Sequence, residues 1–265
     1  MKSKHGSAAD QLFIVALIIL GGSYVVLIVL LIAADLAVAD TAAIAQLLRT
    51  PEIRYAVKLS LLSSTASAVL SLWIAVPIAY ICSRFRFPGK AVIDTILDVP
   101  VVLPPLVVGV SLLVLFNLRP FAWISHLVVF EIPAIIMAQT VVACAFAVRT
   151  LRVCFDQIPL RYEAVAMTLG CSRREAFWRV CLPQAREGIL AAGTLAWARA
   201  FGEFGPILVF AGAARFRTEV LPTSVYLEMQ SGDLRNMLAI SLLMIVAAGS
   251  VLLTARLLGL RGGQL

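Results

Sequence analysis

Charge is what this chain has least of. Asp, Glu, Lys and Arg make up 14% of its 265 residues, against 61% hydrophobic residues and a mean hydropathy of +0.97. A soluble domain does not need that much apolar surface to fill one core. Cysteine chemistry is equally sparse: Cys82, Cys144, Cys154, Cys171 and Cys181 include no Cys-x-x-Cys pair, and His5 and His126 stand far from them in sequence. Metal clusters and disulfide frameworks are therefore not expected. A nucleotide-binding Gly-x4-Gly-Lys-Ser/Thr loop is missing too. The one Gly-Lys, Gly89-Lys90, is followed by Ala91 and has no upstream glycine. With no catalytic triad and no evident pair of carboxylates, the chain reads as binding no cofactor of its own and as hydrolysing nothing.

What it does have is long apolar runs. In lipid every backbone polar group must be satisfied internally, and runs of this length suit helices better than the short alternating segments of a barrel. The expected fold is an all-α integral membrane bundle, one transmembrane domain over 1–265, with spans at about 11–34, 59–83, 99–118, 132–148, 188–211 and 237–255. The first follows Lys2 and Lys4 and precedes small residues at 33–43. Its apolar stretch exceeds the usual 7 to 15 residues of a secretory signal, so a retained anchor is expected. The third opens on prolines, which rules out regular helix throughout its first turns.

Six spans put both termini on one side. That side then carries fourteen lysines and arginines and the other seven, with Arg199 left inside a span. The bias makes the richer side cytoplasmic, although half of the fourteen lie in the 149–187 connection itself. The formal charge of +7 is thereby explained by contact with anionic lipid, with no call for nucleic acid.

The 149–187 connection contains a polar island, EAVAMTLGCSRREAFWRVCLP, at 163–183. Pro159 suits a first helical turn. Gly170 can take the left-handed conformation that ends a helix. Ser172-Arg-Arg-Glu175 has the form of a capping box that starts another. Pro183 marks the break before the fifth span. Small residues at Ala164 and Ala166 give the first of these helices a slim face. Physics leaves two readings open, a helix seated in a partner's groove and a helix resting on lipid.

Inside the membrane, Arg199 and Glu203 are the only ionised side chains of the expected spans. Each costs on the order of 3 kcal/mol at bilayer depth unless it faces protein or water. Four residues apart on a helix, they can meet as an ion pair. One reading is mutual neutralisation that locks the fifth span to its neighbours. The other is that Arg199 also attracts a passing anion. Gly202 and Gly205 flank the acid and permit close helix approach.

The spacing of Glu163, Ala164, Ala166, Gly170, Val180, Leu182 and Pro183 resembles the cytoplasmic signature of inner-membrane permease subunits of ABC importers. One departure is visible: the family's usual glutamate position is Ala164 here, and the acid stands at Glu163. The prolines Pro104 and Pro105 within VPVVLPPLVVG (99–109), ARAFGEFG at 198–205 and LPTSVY at 221–226 resemble the molybdate, tungstate and sulfate branch of that family. The resemblance implies type I importer architecture in the inner, cytoplasmic membrane, with 163–183 as the coupling helix region. It implies two copies of a separate ATPase that carries ATP and magnesium, a periplasmic or extracellular oxyanion-binding protein, and a permease homodimer. The implied cargo is molybdate or tungstate, with sulfate or thiosulfate as the rival. A membrane enzyme or a non-transporting anchor is the alternative of a different class.

Overall fold

A computed structural model describes residues 8–38, 44 and 46–262, with side chains from residue 10 to residue 257. Lys2, Lys4, His5 and residues 39–43 of the supposed cleavage stretch lie outside the described residues.

Helices are the only regular secondary structure among the described residues. Helix α1 (Ala8–Val38) is followed by α2 (Pro51–Arg84), α3 (Lys90–Val102) and α4 (Pro105–Asn117). Two single turns precede α5 (Ile132–Gln157). The polar island forms α6 (Leu160–Thr168), then α7 (Arg173–Ala176) and a π-helical stretch over Phe177–Cys181. Helices α8 (Arg186–Phe201), α9 (Gly205–Phe210), α10 (Leu221–Ser231) and α11 (Leu234–Gly262) complete it.

Among the described residues four helices, α1, α2, α5 and α11, are long and apolar enough to cross a membrane. A fifth crossing is obtained if α3 and α4 count as one span bent by 113°. The expected six differ from this in two places, both set by proline. The third run is split at Leu103 and Pro104, because Pro104 and Pro105 cannot donate the amides a continuous helix requires. Its first half also begins earlier than expected, at Lys90, behind Gly89 in the left-handed region. The fifth run, 188–211, is divided at Gly202–Phe204 into helices of 16 and 6 residues, each shorter than the roughly 20 a crossing needs. Pro206 in the first turn of α9 forbids a helix running through the junction. A third difference is one of length. Helix α5 continues to Gln157, past the expected end near 148, so the connection begins about two and a half helical turns later than the 149–187 bounds suggest.

The central packing unit is α2, α5 and α8. Their facing residues are small: Ala75, Ala79, Ala143, Ala147, Ala192 and Ala196 are buried, and α2 adds five buried serines, Ser60, Ser63, Ser64, Ser67 and Ser71. Such residues let membrane helices approach closely where no hydrophobic force drives them together. At Gly188 the fit leaves no room at all, since a Cβ there would overlap the Cys154 side chain. A second cluster joins α4, α5 and α9 through Leu112, Phe116, Ile135, Ile207 and Phe210. In α1, by contrast, no described side chain is buried.

Candidate functional site

Two places gather the residues singled out by the sequence. The first is the polar island. Glu163 stands in the first turn of α6, where the helix dipole favours a negative charge. The helix ends in a Schellman motif: Gly170, at φ +94°, donates to the Met167 carbonyl and Cys171 to the Ala166 carbonyl, each at 3.1 Å. Ser172 caps α7, accepting from the Glu175 amide at 3.3 Å while its own amide donates to Glu175 at 2.9 Å. Those bonds from Ser172 hold the Glu175 carboxyl below its usual range. The chain then passes through the π-helical stretch and Pro183 into α8. Val180 and Leu182 lie in this helical run. Pro183 sits in a short helix, Leu182–Gln184, so the expected break is a π-bulge with an interrupted turn at Ala185.

Only Glu163 and Ala166 of α6 are buried; Ala164 and every other residue of the helix are exposed. The slim face expected of Ala164 and Ala166 is therefore divided. Ala166 packs inward, while Ala164 stands outside with Val165, Met167 and the following Leu169. Moving the acid from 164 to 163 turns it about 100° around the helix, from the outer face to the inner.

There Glu163 meets two residues of α2 that sequence reasoning passed over. Arg84 Nε donates to Glu163 Oε1 at 2.7 Å, and the Tyr80 hydroxyl donates to Oε2 at 2.7 Å. Arg84 Nη1 reaches the Phe155 carbonyl at 2.9 Å and Ser83 Oγ at 3.3 Å. Its Nη2 reaches the Ile158 carbonyl at 3.1 Å and Cys181 Sγ at 3.8 Å. The Phe155 carbonyl, which also accepts from the Ile158 amide, and the Ile158 carbonyl just past α5 are thus served by a neighbour's side chain. Burial, reinforced by the Glu163 charge, pushes the Cys181 thiol up to about 11, so it faces Arg84 uncharged at neutral pH. Phe85, Phe155 and Phe177 surround the Tyr80 ring. The available signal was an arginine ending a span one turn after a tyrosine, which also describes an ordinary membrane-interface anchor.

The second place is the break in the fifth run. Glu203 lies past the end of α8, between it and α9, and Arg199 Nη1 approaches Glu203 Oε2 to 2.6 Å. The contact is an ion pair, not an aligned hydrogen bond, since Oε2 lies off the N–H directions. The acid side chain is 1% exposed and the arginine side chain 28%. Beyond the acid, the Arg199 guanidinium lies 5.7 Å from the centroid of the Phe146 ring, and it donates no hydrogen bond to a described residue. Gly205 allows the close approach expected of it: a Cβ there would lie 3.1 Å from the Leu106 amide nitrogen and from Pro105 Cβ. Pro105 and Gly205, a hundred residues apart, thus meet behind Glu203. Gly202 faces open space apart from its own helix. Gln139, fully buried on α5, donates to the Ala200 carbonyl at 3.0 Å and accepts from Ser67 at 3.0 Å, which fastens the end of α8. As an uncharged residue it gave no warning in a count of intramembrane charges.

On the side of α9 away from the island, Arg217 pairs with Glu131 and Arg215 with Glu228, the latter at 3.1 Å. No group of His, Cys, Asp and Glu able to hold a metal occurs among the described residues.

The family pattern described as "binding-protein-dependent transport system inner membrane component" matches residues 71–259. The sulfate transport system permease protein CysT of Escherichia coli K12 is 29% identical over 224 residues, 83% of this chain and 81% of that protein. The molybdate/tungstate transport system permease protein WtpB of Thermococcus kodakarensis is 36% identical over 172 residues, 65% of this chain and 66% of that protein. Among solved structures, a bacterial ABC transporter involved in the import of the acidic polysaccharide alginate superposes with a TM-score of 0.75, covering 96% of both chains at 16% identity.

Proposed function

The chain belongs to the binding-protein-dependent transport system inner membrane components, and from that premise we propose that it imports molybdate or tungstate as the membrane subunit of an ATP-driven transporter. As an oxyanion permease subunit it supplies no ATP chemistry; a separate ATPase does. The observation that carries the choice of an anionic cargo is Arg199, a cation at the break of the fifth run with most of its N–H groups uncommitted. Glu203 holds the guanidinium in place and weakens its field, so that an anion is attracted without being trapped. Likeness to CysT supports sulfate as the second reading, since these anions share charge and tetrahedral shape. Calorimetry of the matching binding protein with molybdate, tungstate and sulfate decides between them.

In this reading the exposed face of α6 seats in a cleft of the ATPase on the cytoplasmic side, with both termini on that side. Two permease copies associate with two ATPases, and an outer binding protein delivers the anion. Closure of the ATPases on ATP displaces α6, and through Pro183 and α8 the cavity opens to alternate sides. A cysteine at Ala164 and another in the ATPase cleft should crosslink. An assembled, transporting complex in which they do not crosslink removes α6 as the docking element. Arg199→Ala should reduce anion uptake into proteoliposomes roughly thirtyfold while the ATPase still copurifies, and normal uptake would remove the pathway role.

A further inference from the structure

The polar junction behind α6 goes beyond docking. Arg84 has five N–H groups, and its five acceptors are spread over four segments: its own helix at Ser83, the end of α5 at Phe155 and Ile158, α6 at Glu163, and the π-helical stretch at Cys181. Its side chain is 5% exposed and that of Glu163 is 9% exposed. Ser83 extends the junction by donating to Asp156 at 2.6 Å. A guanidinium is a rigid planar fork, and a bidentate or multiply bonded arrangement fixes orientation as well as distance. Four segments that share one such fork cannot rotate against one another unless several charge-assisted bonds break together.

We propose that Arg84 is a positioning residue that makes α6 one rigid body with the ends of α2 and α5, so that displacement of α6 drives the second and fourth spans directly. This rests on the reading of α6 as the element that engages the ATPase. It adds a second route to the covalent one through Pro183 and α8. The two routes differ in kind. The covalent one passes through a π-helical stretch and the interrupted turn at Ala185, where the ladder of helical hydrogen bonds changes register. The Arg84 junction has no such irregular segment between α6 and the spans. The position of the acid fits the same role. At Glu163 it reaches Arg84 and Tyr80 inside the chain, whereas at Ala164 it would face outward.

The test uses the full complex of permease, ATPase and binding protein in proteoliposomes, with anion moved per ATP hydrolysed as the readout. Arg84→Lys keeps a positive charge for Glu163 but loses the fork that holds Phe155 and Ile158. The expected result is an assembled complex that still hydrolyses ATP yet moves about tenfold less anion per ATP. Arg84→Met should fall further. Adding Glu163→Gln to Arg84→Met should cost nothing more, because both act on one junction. Tyr80→Phe, which removes a single hydroxyl, should lower the ratio two- to threefold with normal assembly. A wild-type ratio in assembled Arg84→Lys complex overturns the proposal. Failure of both Arg84 variants to assemble overturns it as well, since Arg84 would then be needed for folding and not for transmission. Failure of the wild-type permease to bind the ATPase through α6, read by the Ala164 crosslink, would instead remove the docking assignment and leave the junction a purely structural tie.

Discussion

Arg84 with Glu163 and Arg199 with Glu203 are the same two functional groups at nearly the same distance, 2.7 and 2.6 Å, and their guanidinium donors are committed to opposite degrees. At the first junction every guanidinium N–H has an acceptor and both partners are buried. At the second the acid is buried, while the arginine is more than a quarter exposed and donates no aligned hydrogen bond among the described residues. Saturation turns a charge into a fastening, and spare donors leave a charge able to act on something that arrives. The number of committed N–H groups separates the two roles more clearly than distance or depth does.

The largest effect should come from breaking the saturated pair. Glu163→Gln leaves a buried guanidinium without its counter-charge, a loss of about 3 kcal/mol. A lowered unfolding midpoint of the purified permease in detergent is the measurement. A midpoint equal to wild type would mean that the junction is less dry than its geometry implies. Next is Arg199→Ala, which should reduce anion uptake roughly thirtyfold, about the 2 kcal/mol of a charge-assisted contact. Because it strands Glu203, the double variant Arg199→Ala with Glu203→Gln sharpens the comparison: stability should return and transport should not. If transport also returns, the pair is a lock and nothing more.

Gly205→Ala tests the break without touching a charge. Its added Cβ is forced 3.1 Å from Pro105 and from the Leu106 amide, and relief of that crowding costs roughly 1 kcal/mol. Uptake should slow several-fold while ATPase binding stays normal, which separates the break from the junction behind α6. The smallest effect belongs to a third buried acid. Glu219 accepts from Ser224 at 2.7 Å with one oxygen, and its other oxygen has no partner among the described residues. The nearest cation, Arg215, is held by Glu228. Burial raises the Glu219 carboxyl above its ordinary 4.5, so the folded protein retains a proton that the unfolded chain releases. Stability should therefore decline as pH climbs above about 4.5 and through the raised value, and Glu219→Gln should flatten that decline. An identical pH profile in the variant would show that the carboxyl is hydrated.

Local chemistry was legible in the sequence wherever a few adjacent residues decide it. The Gly170 corner, the Ser172 capping box and the proline-broken third run are of this kind, and each is found at its expected position. Helix signals likewise found α6, and a count of charges inside the expected spans found the Arg199 pair. What could not be read depends on partners distant in the chain. Arg84 looks like any basic residue at the end of a span until α5 and α6 are folded against it. Gln139 matters only because α8 ends beside it. The fifth run reads as one apolar stretch, since hydropathy does not register that Pro206 lacks an amide hydrogen and that Gly202 readily ends a helix. The π-bulge before Pro183 has no compositional mark at all.

The five buried serines of α2 bear on how such a bundle can move. A helix face studded with leucines has knobs that must climb out of their holes before a neighbour can shift along it. Hydroxymethyl groups offer little relief; of the five, Ser63 donates within α2 to the Ser60 carbonyl, while Ser67 donates across to α5. Against the equally low alanines of α5 that face packs without interlocking knobs, while Ser67, bonded to Ile136 and Gln139, and Arg84, bonded to Phe155, keep the two helices in register. A second and a fourth span joined in this way can travel as one unit without unpacking.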